Sequence, residues 1–339
     1  MCRAWQWVVD RLPWLTVRFE WRDLPRPMAT YVDDLRYRLE RILVGESQDL
    51  AAVGEATKYE MRYTPMDLAV APLFNVKLLD GGPRGYELVW AYRHALLDGS
   101  SYARVLEAVY SAYDAIRTRA VLDDSMWNPG RCFADFARWH NKLDFREAET
   151  YWRDFLSEIK EPTLIAPVGL STETSNHHVD VAFRYLEHGI VGRLRKRLKG
   201  DGVNPSNFLQ GIWALVLGYY CGQSEVSFAA CWTNRYADLE DMQTMQGLLI
   251  NTLPVVAKIG PDQRFIDQLI ALREQQIAHR QFDQVSIGQL NKWLPCHPGF
   301  PFRTAWWWTI MREPRSVFPN PVATMSRGPS TPSAMQAIR

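Results

Sequence analysis

Arg93-His94-Ala95-Leu96-Leu97-Asp98-Gly99 is the stretch on which the fold prediction rests. It follows an apolar run at 86–92 that is typical of a strand, and it precedes a run from residue 102 whose apolar residues recur at helical spacing. The pattern predicts a short loop from a strand into a helix, with Ser100 or Ser101 as the N-cap. On such a loop His94 is held by a rigid strand and open to a cleft, which suits a general base.

Asp98 and Gly99 complete an H-x-x-x-D-G pattern. Four residues after His94, Asp98 is placed to turn back and hold the loop, and Gly99 permits a backbone turn that a side chain would obstruct. On these residues alone, a core histidine beside a turn-forming aspartate is as good an interpretation as a general base. The rest of the chain has to decide between them.

Composition excludes several classes of protein. The 339 residues contain 39 Lys plus Arg against 38 Asp plus Glu, so the strongly basic balance of a nucleic-acid binder is absent. No apolar run approaches the roughly 20 residues that span a bilayer, and no cleavable signal peptide is recognisable. We therefore expect neither a nucleic-acid nor a membrane partner.

The five cysteines are scattered and form no C-x-x-C pair, and none has a histidine at zinc spacing. This pattern argues against a disulfide framework and against a metal site. Reduced thiols fit a cytoplasmic location, which is our expectation.

Periodicity along the chain predicts alternating helices and strands. Helices are predicted at 5–12, 28–44, 133–160, 189–199, 205–221 and 263–279, and strands at 15–19, 72–79, 86–92, 180–186 and 225–229. The polar stretch 161–176 is typical of a linker. From Pro314 onward, prolines, serines and threonines replace apolar periodicity, which predicts a disordered tail over 314–339.

Further motifs accompany the histidine motif in a fixed order. They are 11–19 (RLPWLTVRF), 133–139 (FADFARW), 151–156 (YWRDFL) and 247–254 (GLLINTLP). In these stretches the chain resembles the condensation domains of non-ribosomal peptide synthetases, which belong to the chloramphenicol-acetyltransferase-like acyltransferases. The matches extend from about residue 5 to about residue 310, so the resemblance is far more specific than a single motif.

The resemblance implies an α/β fold of two lobes. This chloramphenicol-acetyltransferase-like pseudo-dimer has mixed sheets with helices packed outside and an active-site tunnel between the lobes. On this basis we predict an N-terminal lobe at 1–160 that carries the H-x-x-x-D-G loop and a C-terminal lobe at 161–313, ahead of the tail at 314–339.

The resemblance also implies an activity. The chain is expected to be an acyltransferase that forms an amide between a carrier-bound acyl or peptidyl thioester and an amine, with His94 as the catalytic residue. Its expected partners are a donor and an acceptor carrier protein. No bound cofactor and no metal are expected, because the phosphopantetheine arms of the carriers hold the substrates.

Other residues take roles by the same resemblance. Asp98 is expected to hold the loop and Gly99 to leave backbone room near the thioester. The candidates for contact with the tunnel or the substrate are Arg93, Ser100, Asn251 and Thr252, and for Asn251 and Thr252 the alternative is a role in ordering a strand. The resemblance gives Arg235 a surface or interlobe ion pair, Trp139 and Trp152 places in the core, and His279 no chemical role.

The chain also departs from the family pattern. Arg93 stands where the family has the first of two histidines, and Thr16 stands where it often has an arginine for the loop aspartate, which leaves Arg11 and Arg18 as substitutes. The family's N-terminal segment ahead of the 11–19 motif is absent, and the chain leaves the family pattern near Thr304. We therefore expect a chain truncated at both ends, with sheet edges and apolar surface exposed.

These departures keep two alternatives open. One is a catalytically inactive remnant or a module that docks carrier proteins. The other is an O- or N-acyltransferase that uses a free small-molecule acceptor, although the D-F-G-W-G sequence of the plant-type branch is absent. Serine hydrolase and nucleotide-binding functions are excluded because G-x-S-x-G, P-loop and G-x-G-x-x-G motifs are missing.

Overall fold

The computed structural model describes residues 1–161, 163–164 and 189–294, and the backbone of 305–306 and 322–327. The helices in these ranges are α1 (Cys2–Arg11), α2 (Leu50–Tyr63), α3 (Gly99–Thr118), α4 (Phe133–His140), α5 (Arg146–Ser157), α6 (Ile190–Gly200), α7 (Pro205–Cys221), α8 (Phe265–His279) and α9 (Ile287–Trp293). The strands are β1 (Val17–Glu20), β2 (Met28–Tyr31), β3 (Glu40–Leu43), β4 (Phe74–Asp80), β5 (Tyr86–Tyr92), β6 (Glu225–Thr233), β7 (Ile250–Lys258), β8 (Ala305–Trp306) and β9 (Val322–Arg327).

The chain packs as two compact units. The first comprises Met1–Lys142, Arg235–Ile250 and Met311–Arg339, and the second comprises Leu143–Asn234 and Asn251–Ile310. The sequence-based boundaries at 160 and 313 assumed contiguous lobes and differ from this division, because the segment from Arg235 to Ile250 packs with the first unit.

The first unit is built on a sheet with the strand order β3-β4-β5-β9. β4 and β5 are antiparallel and are joined by a glycine-containing turn, in which Gly81 N–H donates to the Gly85 carbonyl at 2.9 Å. Along β5, Trp90 and Tyr92 belong to the core that contains α1 and α3, while Val89 and Ala91 belong to the core beneath α2. The strand is therefore buried on both faces, as its nearly continuous apolar sequence predicts.

Aromatic side chains fill the larger core of this unit. Trp5 on α1 packs against Trp90 on β5, with ring centroids 5.1 Å apart, and against Phe74 on β4 at 5.7 Å. The helical spacing of Val105 and Val109 places both of them in the same core. These contacts hold α1 and α3 together against one face of the sheet.

The second unit has a three-stranded sheet in the order β7-β6-β8. Helices α6, α7 and α8 contribute to one core with apolar residues of β6 and β7, and helices α5 and α9 contribute to a second core with β7. Helix α7 begins as predicted, since the Asn204 side chain accepts from Asn207 N–H and Pro205 occupies the first turn. It ends at Gly222, which has a left-handed conformation.

Several element predictions are wrong. The helix predicted at 28–44 is replaced by β2 and β3, because pairing with β1 and β4 satisfies the backbone there. The single helix at 133–160 is two helices, α4 and α5, separated at 141–145. Helix α2 has no counterpart in the predictions.

The predicted disordered tail contains a strand. Val322–Arg327 pairs antiparallel with β5, and β-prone residues such as Val322 and Thr324 fit that pairing. The strand predicted at 180–186 and most of the linker at 161–176 lie outside the described residues.

Candidate active site

His94 lies on the turn between β5 and α3, as the sequence predicts, and its side chain is half-buried. The turn is fixed on both sides of it. Arg93 N–H donates to the Leu73 carbonyl at 2.9 Å, Leu96 N–H donates to the Arg93 carbonyl at 2.8 Å, and the Trp14 indole donates to the Leu96 carbonyl at 2.6 Å. The side chain of Leu96 is fully buried. The geometry therefore holds the imidazole on a rigid support.

Asp98, and not Ser100 or Ser101, is the N-cap of α3. Its carboxylate accepts from Ser100 N–H at 3.1 Å and from Ser101 N–H at 2.8 Å. A carboxylate at this position satisfies two helix donors and also interacts favourably with the positive end of the helix dipole. The prediction of a serine N-cap is wrong because the helix begins two or three residues earlier than expected, at Gly99.

Asp98 also forms a buried ion pair with Arg235. One guanidinium nitrogen, Nη2, lies 3.1 Å from each carboxylate oxygen, and Leu249 N–H donates to the same carboxylate at 3.1 Å. The second nitrogen, Nη1, donates to the Met245 carbonyl at 2.8 Å. Only 1% of Asp98 and 8% of Arg235 is exposed. The pair links the histidine turn to the segment 235–249 within the first unit.

This pairing corrects two expectations. Arg11 and Arg18 do not substitute as partners of Asp98, since Arg11 bonds Asp124 at 2.7 Å and Arg18 bonds Glu20 at 2.9 Å. The surface position expected for Arg235 is wrong, because its side chain is buried. Its ion pair with Asp98 does join residues on opposite sides of the predicted lobe boundary at 160, and both residues belong to the first compact unit.

Sequence reasoning missed the contact between Ser101 and Gly247 and its role in holding the turn. The Ser101 hydroxyl is fully buried, lies 2.9 Å from the Gly247 carbonyl and 3.0 Å from Gly247 N–H, and accepts from Arg235 at 2.9 Å. A Cβ at Gly247 would lie 2.2 Å from the ring of Phe133. The D-G-x-S spacing and the glycine of the 247–254 motif were the available signals, but nothing in the sequence joined them.

Gly99 is not required by the turn itself. It is the first residue of α3, and a Cβ there would meet no described atom within 4 Å. The prediction that a side chain would obstruct the turn is therefore wrong. Ser100, which follows it, is exposed.

Arg93 directs its guanidinium toward the loop before β4. Its Nη2 donates to the Met66 carbonyl at 3.0 Å, in addition to the backbone bond to Leu73. Both bonds connect the end of β5 to the segment 66–73. Arg93, which departs from the family pattern, therefore connects two segments of the chain next to His94.

Asn251 and Thr252 lie at the start of β7, in the second unit. The Asn251 amide donates to the Asp283 carbonyl at 2.7 Å and to the Val285 carbonyl at 2.6 Å, and its oxygen accepts from Thr252 N–H at 2.8 Å. These bonds correspond to the strand-ordering alternative.

His279 lies in an aromatic cluster of the second unit. The Tyr151 hydroxyl is 2.6 Å from its Nδ1, and the ring of Trp152 is 4.6 Å away between centroids. Burial lowers the pKa of His279 to about 4 and raises the pKa of Tyr151 to about 12. Trp152 is fully buried, as predicted, and Trp139 is half-buried against Phe136.

Within the described ranges, no helix has the length and apolar character needed to cross a membrane. The same residues contain no group of three or more His, Cys, Asp or Glu side chains that could hold a metal ion.

Comparison with known proteins identifies the family. The sequence model of the condensation domain family matches residues 1–296 of this chain. The chain belongs to the condensation domain family. This confirms the predicted family and, at the level of the family, the predicted class of enzyme, because condensation domains are acyltransferases that form amide bonds in non-ribosomal peptide synthesis.

Curated relatives of this condensation domain are large synthetases. A component of the linear gramicidin synthase of Brevibacillus parabrevis is 28% identical over 88% of this chain, and surfactin synthase subunit 2 of Bacillus subtilis (strain 168) is 25% identical over 70% of it. The aligned parts make up 4% and 6% of those two proteins. The chain therefore spans a small fraction of the relatives that it matches.

Solved structures confirm the fold of the condensation domain. The first condensation domain of the CDA synthetase has a TM-score of 0.70 at 18% identity, with 97% of this chain and 78% of that chain covered. The X-domain of teicoplanin biosynthesis, in a complex with OxyB, has a TM-score of 0.72 at 18% identity, with 97% and 72% covered. The predicted chloramphenicol-acetyltransferase-like α/β fold is thereby confirmed.

Proposed function

We propose that this chain joins an acyl or peptidyl group, held as a thioester on a donor carrier protein, to an amine held on an acceptor carrier protein. The observation that carries the proposal is the half-buried His94, on a turn fixed by the Asp98–Arg235 network, in a chain of the condensation domain family. The phosphopantetheine arms of the two carriers would supply the reacting groups.

The chemistry needs alignment and one proton acceptor. The amine nitrogen attacks the thioester carbon, a C–N bond forms, and His94 takes the proton that the nitrogen loses. Collapse of the tetrahedral intermediate breaks the C–S bond, and the leaving sulfur takes up a proton to give the free donor thiol. Most of the rate acceleration would come from holding two tethered reactants together.

Asp98 has a different role in this proposal. Its carboxylate is engaged by two helix N–H groups, by Leu249 N–H and by Arg235. It has no oxygen left to accept a substrate proton and serves to hold the turn, while Gly99 leaves open space at the first residue of α3.

A reconstitution assay tests the reaction class. The chain is mixed with an acyl-loaded donor carrier and an aminoacyl-loaded acceptor carrier, and the acceptor is analysed by intact-mass spectrometry. The expected product is an acyl-aminoacyl acceptor carrier together with a free donor thiol. Turnover of free acyl-CoA with a free amine or alcohol, and none between carriers, would contradict the proposal and support the free-acceptor transferase.

A second candidate function is a module that docks its partner without catalysis. It is supported by Arg93, which stands where the family has the first of two histidines. The X-domain shares the fold and is in a complex with OxyB, so this architecture also serves as a binding surface. Stoichiometric binding of loaded carriers, with no product after prolonged incubation, would favour this candidate. Product formation by the same preparation would exclude it.

A further inference from the structure

Helix α6 carries a concentration of positive charge that the chain as a whole does not have. Its 11 residues include no acidic side chain, whereas cations and anions over the whole chain number 39 and 38. The cations, all exposed, are Arg193, Arg195, Lys196, Arg197 and Lys199, and we refer to them as the basic face of α6.

The opposite side of α6 is apolar and buried. Leu198 is 4% exposed, and Leu194 packs against the same core, which α7 and α8 complete. At 100° per residue, Ile190, Leu194 and Leu198 fall within an arc of roughly 80°. Lys196 and Lys199 lie opposite this arc, Arg193 and Arg195 flank it, and Arg197 lies beside Ile190. Burial of the apolar side holds the helix in place and leaves the basic face toward solvent.

The cations of the basic face do little to stabilise their own helix. Arg195 and Lys199 are four residues apart, as are Arg193 and Arg197, and like charges at this spacing destabilise a helix. Among the described residues, one member forms an ion pair, Arg197 with Asp201. The helix also lacks a side-chain N-cap and an acidic residue in its first turn.

Interaction with the helix dipole explains only some of the cations on α6. Cations in the last turn interact favourably with the negative end of the dipole, which rationalises Arg197 and Lys199. Arg193, Arg195 and Lys196 lie before that turn and have no ion-pair partner among the described residues. Their charge is best accounted for by a partner that carries the opposite charge.

We propose that the basic face of α6 is a docking surface for an acidic carrier domain, an inference that rests on the proposed function. A helix of 11 residues is about 16 Å long, which matches one helix of a small domain. Contacts between exposed charges form fast and break readily. This suits a partner that must leave after every turnover.

Other polyanions fit the basic face less well. A nucleic acid follows a basic surface that extends over much of a protein, but this chain has a net charge of +1. A membrane-surface helix inserts its apolar side into the bilayer, but the apolar side of α6 is already buried in the core.

A binding titration tests the proposal directly. The variant Arg195→Glu/Lys196→Glu/Lys199→Glu is compared with Arg26→Glu/Lys142→Glu/Lys160→Glu, which has the same change in charge at exposed sites elsewhere. The probes are two fluorescently labelled holo carrier domains, one acidic and one basic. We expect the acidic probe to bind the wild type and the control variant within about twofold, and the α6 variant at least about tenfold more weakly, or about 1.4 kcal/mol.

Salt and a neutralising variant complete the test. Raising the salt from 50 to 300 mM should weaken binding of the acidic probe to the wild type and should have a smaller effect on the α6 variant. Circular dichroism verifies that the α6 variant is folded. The variant Arg195→Gln/Lys196→Gln/Lys199→Gln, which removes the charge without reversing it, should show an intermediate loss.

An activity measurement separates docking from catalysis. Substrates on carrier domains require docking, whereas the same acyl and aminoacyl groups on free pantetheine do not. We expect the α6 variant to be slower by about tenfold with carrier-borne substrates and unchanged with pantetheine thioesters. If the wild type forms no product from either source, the proposed function fails, and the titration still decides the docking proposal.

Three outcomes would overturn the proposal. The acidic carrier could bind the wild type and the α6 variant with equal affinity. It could fail to bind the wild type. Its affinity for the control variant could fall as much as its affinity for the α6 variant. Binding of a 20-bp DNA duplex or of anionic phosphatidylserine vesicles at the basic face, with no binding of either carrier, would assign the surface to another class of partner.

Discussion

Asp98 and Arg235 are oppositely charged side chains that water scarcely reaches, and each is fully engaged by the other and by neighbouring backbone groups. Removing charges from water is costly, so a buried ion pair persists only when its remaining donors and acceptors are satisfied. The turn that bears His94 is therefore fixed by a network in which loss of either partner leaves an unpaired buried charge.

The first prediction concerns this ion pair. Asp98→Asn and Arg235→Met should each lower the free energy of unfolding by about 3 to 5 kcal/mol, because each leaves one charge buried without its partner. The double variant should lose less than the sum of the two. Urea denaturation of the four proteins measures the coupling. Strictly additive effects would show that the pair does not act as a unit.

The second prediction tests the remaining explanation of Gly99, that it leaves room for the thioester. A Cβ at this position has open space among the described residues, so Gly99→Ala should fold with unchanged or slightly higher stability. If the open space receives the thioester, the same variant should condense carrier-borne substrates more slowly. Thermal unfolding and single-turnover assays provide the two readouts. Unchanged rates would leave the glycine without a role in the reaction.

The third prediction concerns His279, whose pKa is lowered to about 4 from an ordinary 6.5 by burial. The folded state favours the neutral imidazole, so the unfolded state binds more protons between these two pKa values, and stability falls as the pH drops through this range. Between pH 7 and pH 5 the loss from this group should be about 2 kcal/mol.

His279→Phe removes this titration and keeps an aromatic side chain in the cluster. Urea unfolding at pH 7, 6 and 5 should show a shallower loss of stability in this variant than in the wild type. Equal slopes for the wild type and His279→Phe would contradict the assignment.

At the scale of the residue, local patterns predicted the position of His94 but not what holds it. The strand before it and the helix after it are both visible in the spacing of apolar residues. Arg235 is 137 residues from Asp98, and no local signal connects them. The family pattern predicted the arginine partner of Asp98 at position 16, where this chain has Thr16. The observed partner, Arg235, lies in a segment that the predicted boundaries assigned to the C-terminal lobe.

At the scale of the element, predictions succeeded where the apolar period was unambiguous. β5 and α7 match the sequence pattern closely, with α7 bounded by Asn204 and Gly222. The failure at 28–44 has a physical reason: Met28, Tyr31, Leu35 and Leu39 are spaced three or four apart, like a helix face, but pairing with β1 and β4 outweighs this weak preference.

Helix α2 carries the fourth prediction. Gly54 faces the buried Glu87, and a Cβ at Gly54 would lie 2.1 Å from a carboxylate oxygen of Glu87, which also pairs with Lys58 at 3.2 Å. Gly54→Ala should therefore destabilise the protein by about 1 to 3 kcal/mol although alanine is the better helix former.

Gly192 in α6 is the matched control for Gly54. A Cβ at Gly192 meets no described atom within 4 Å, so Gly192→Ala should raise stability by up to about 1 kcal/mol. Urea denaturation of both variants checks the pair. If both alanines stabilise the protein, the contact between α2 and Glu87 is not a constraint.

At the scale of the whole molecule, the two compact units interleave along the chain. The segment Arg235–Ile250 leaves the second unit to pack with the first, where it supplies Arg235, Gly247 and Leu249 to the network around Asp98. Sequence patterns locate helices and strands, but they do not show that a segment packs with a different unit from its neighbours in the chain. The reason is that the periodicity of a segment does not reveal which core it joins.

The central claim is that His94, on this supported turn, performs the chemistry of a condensation domain. The measurement that tests it most directly is the single-turnover rate of amide formation between loaded carriers for the wild type, His94→Ala and, as a control, His140→Ala. We expect His94→Ala to be about 10²- to 10⁴-fold slower, while remaining folded, and His140→Ala to be unchanged. A His94→Ala protein that condenses its substrates at the wild-type rate would contradict the account.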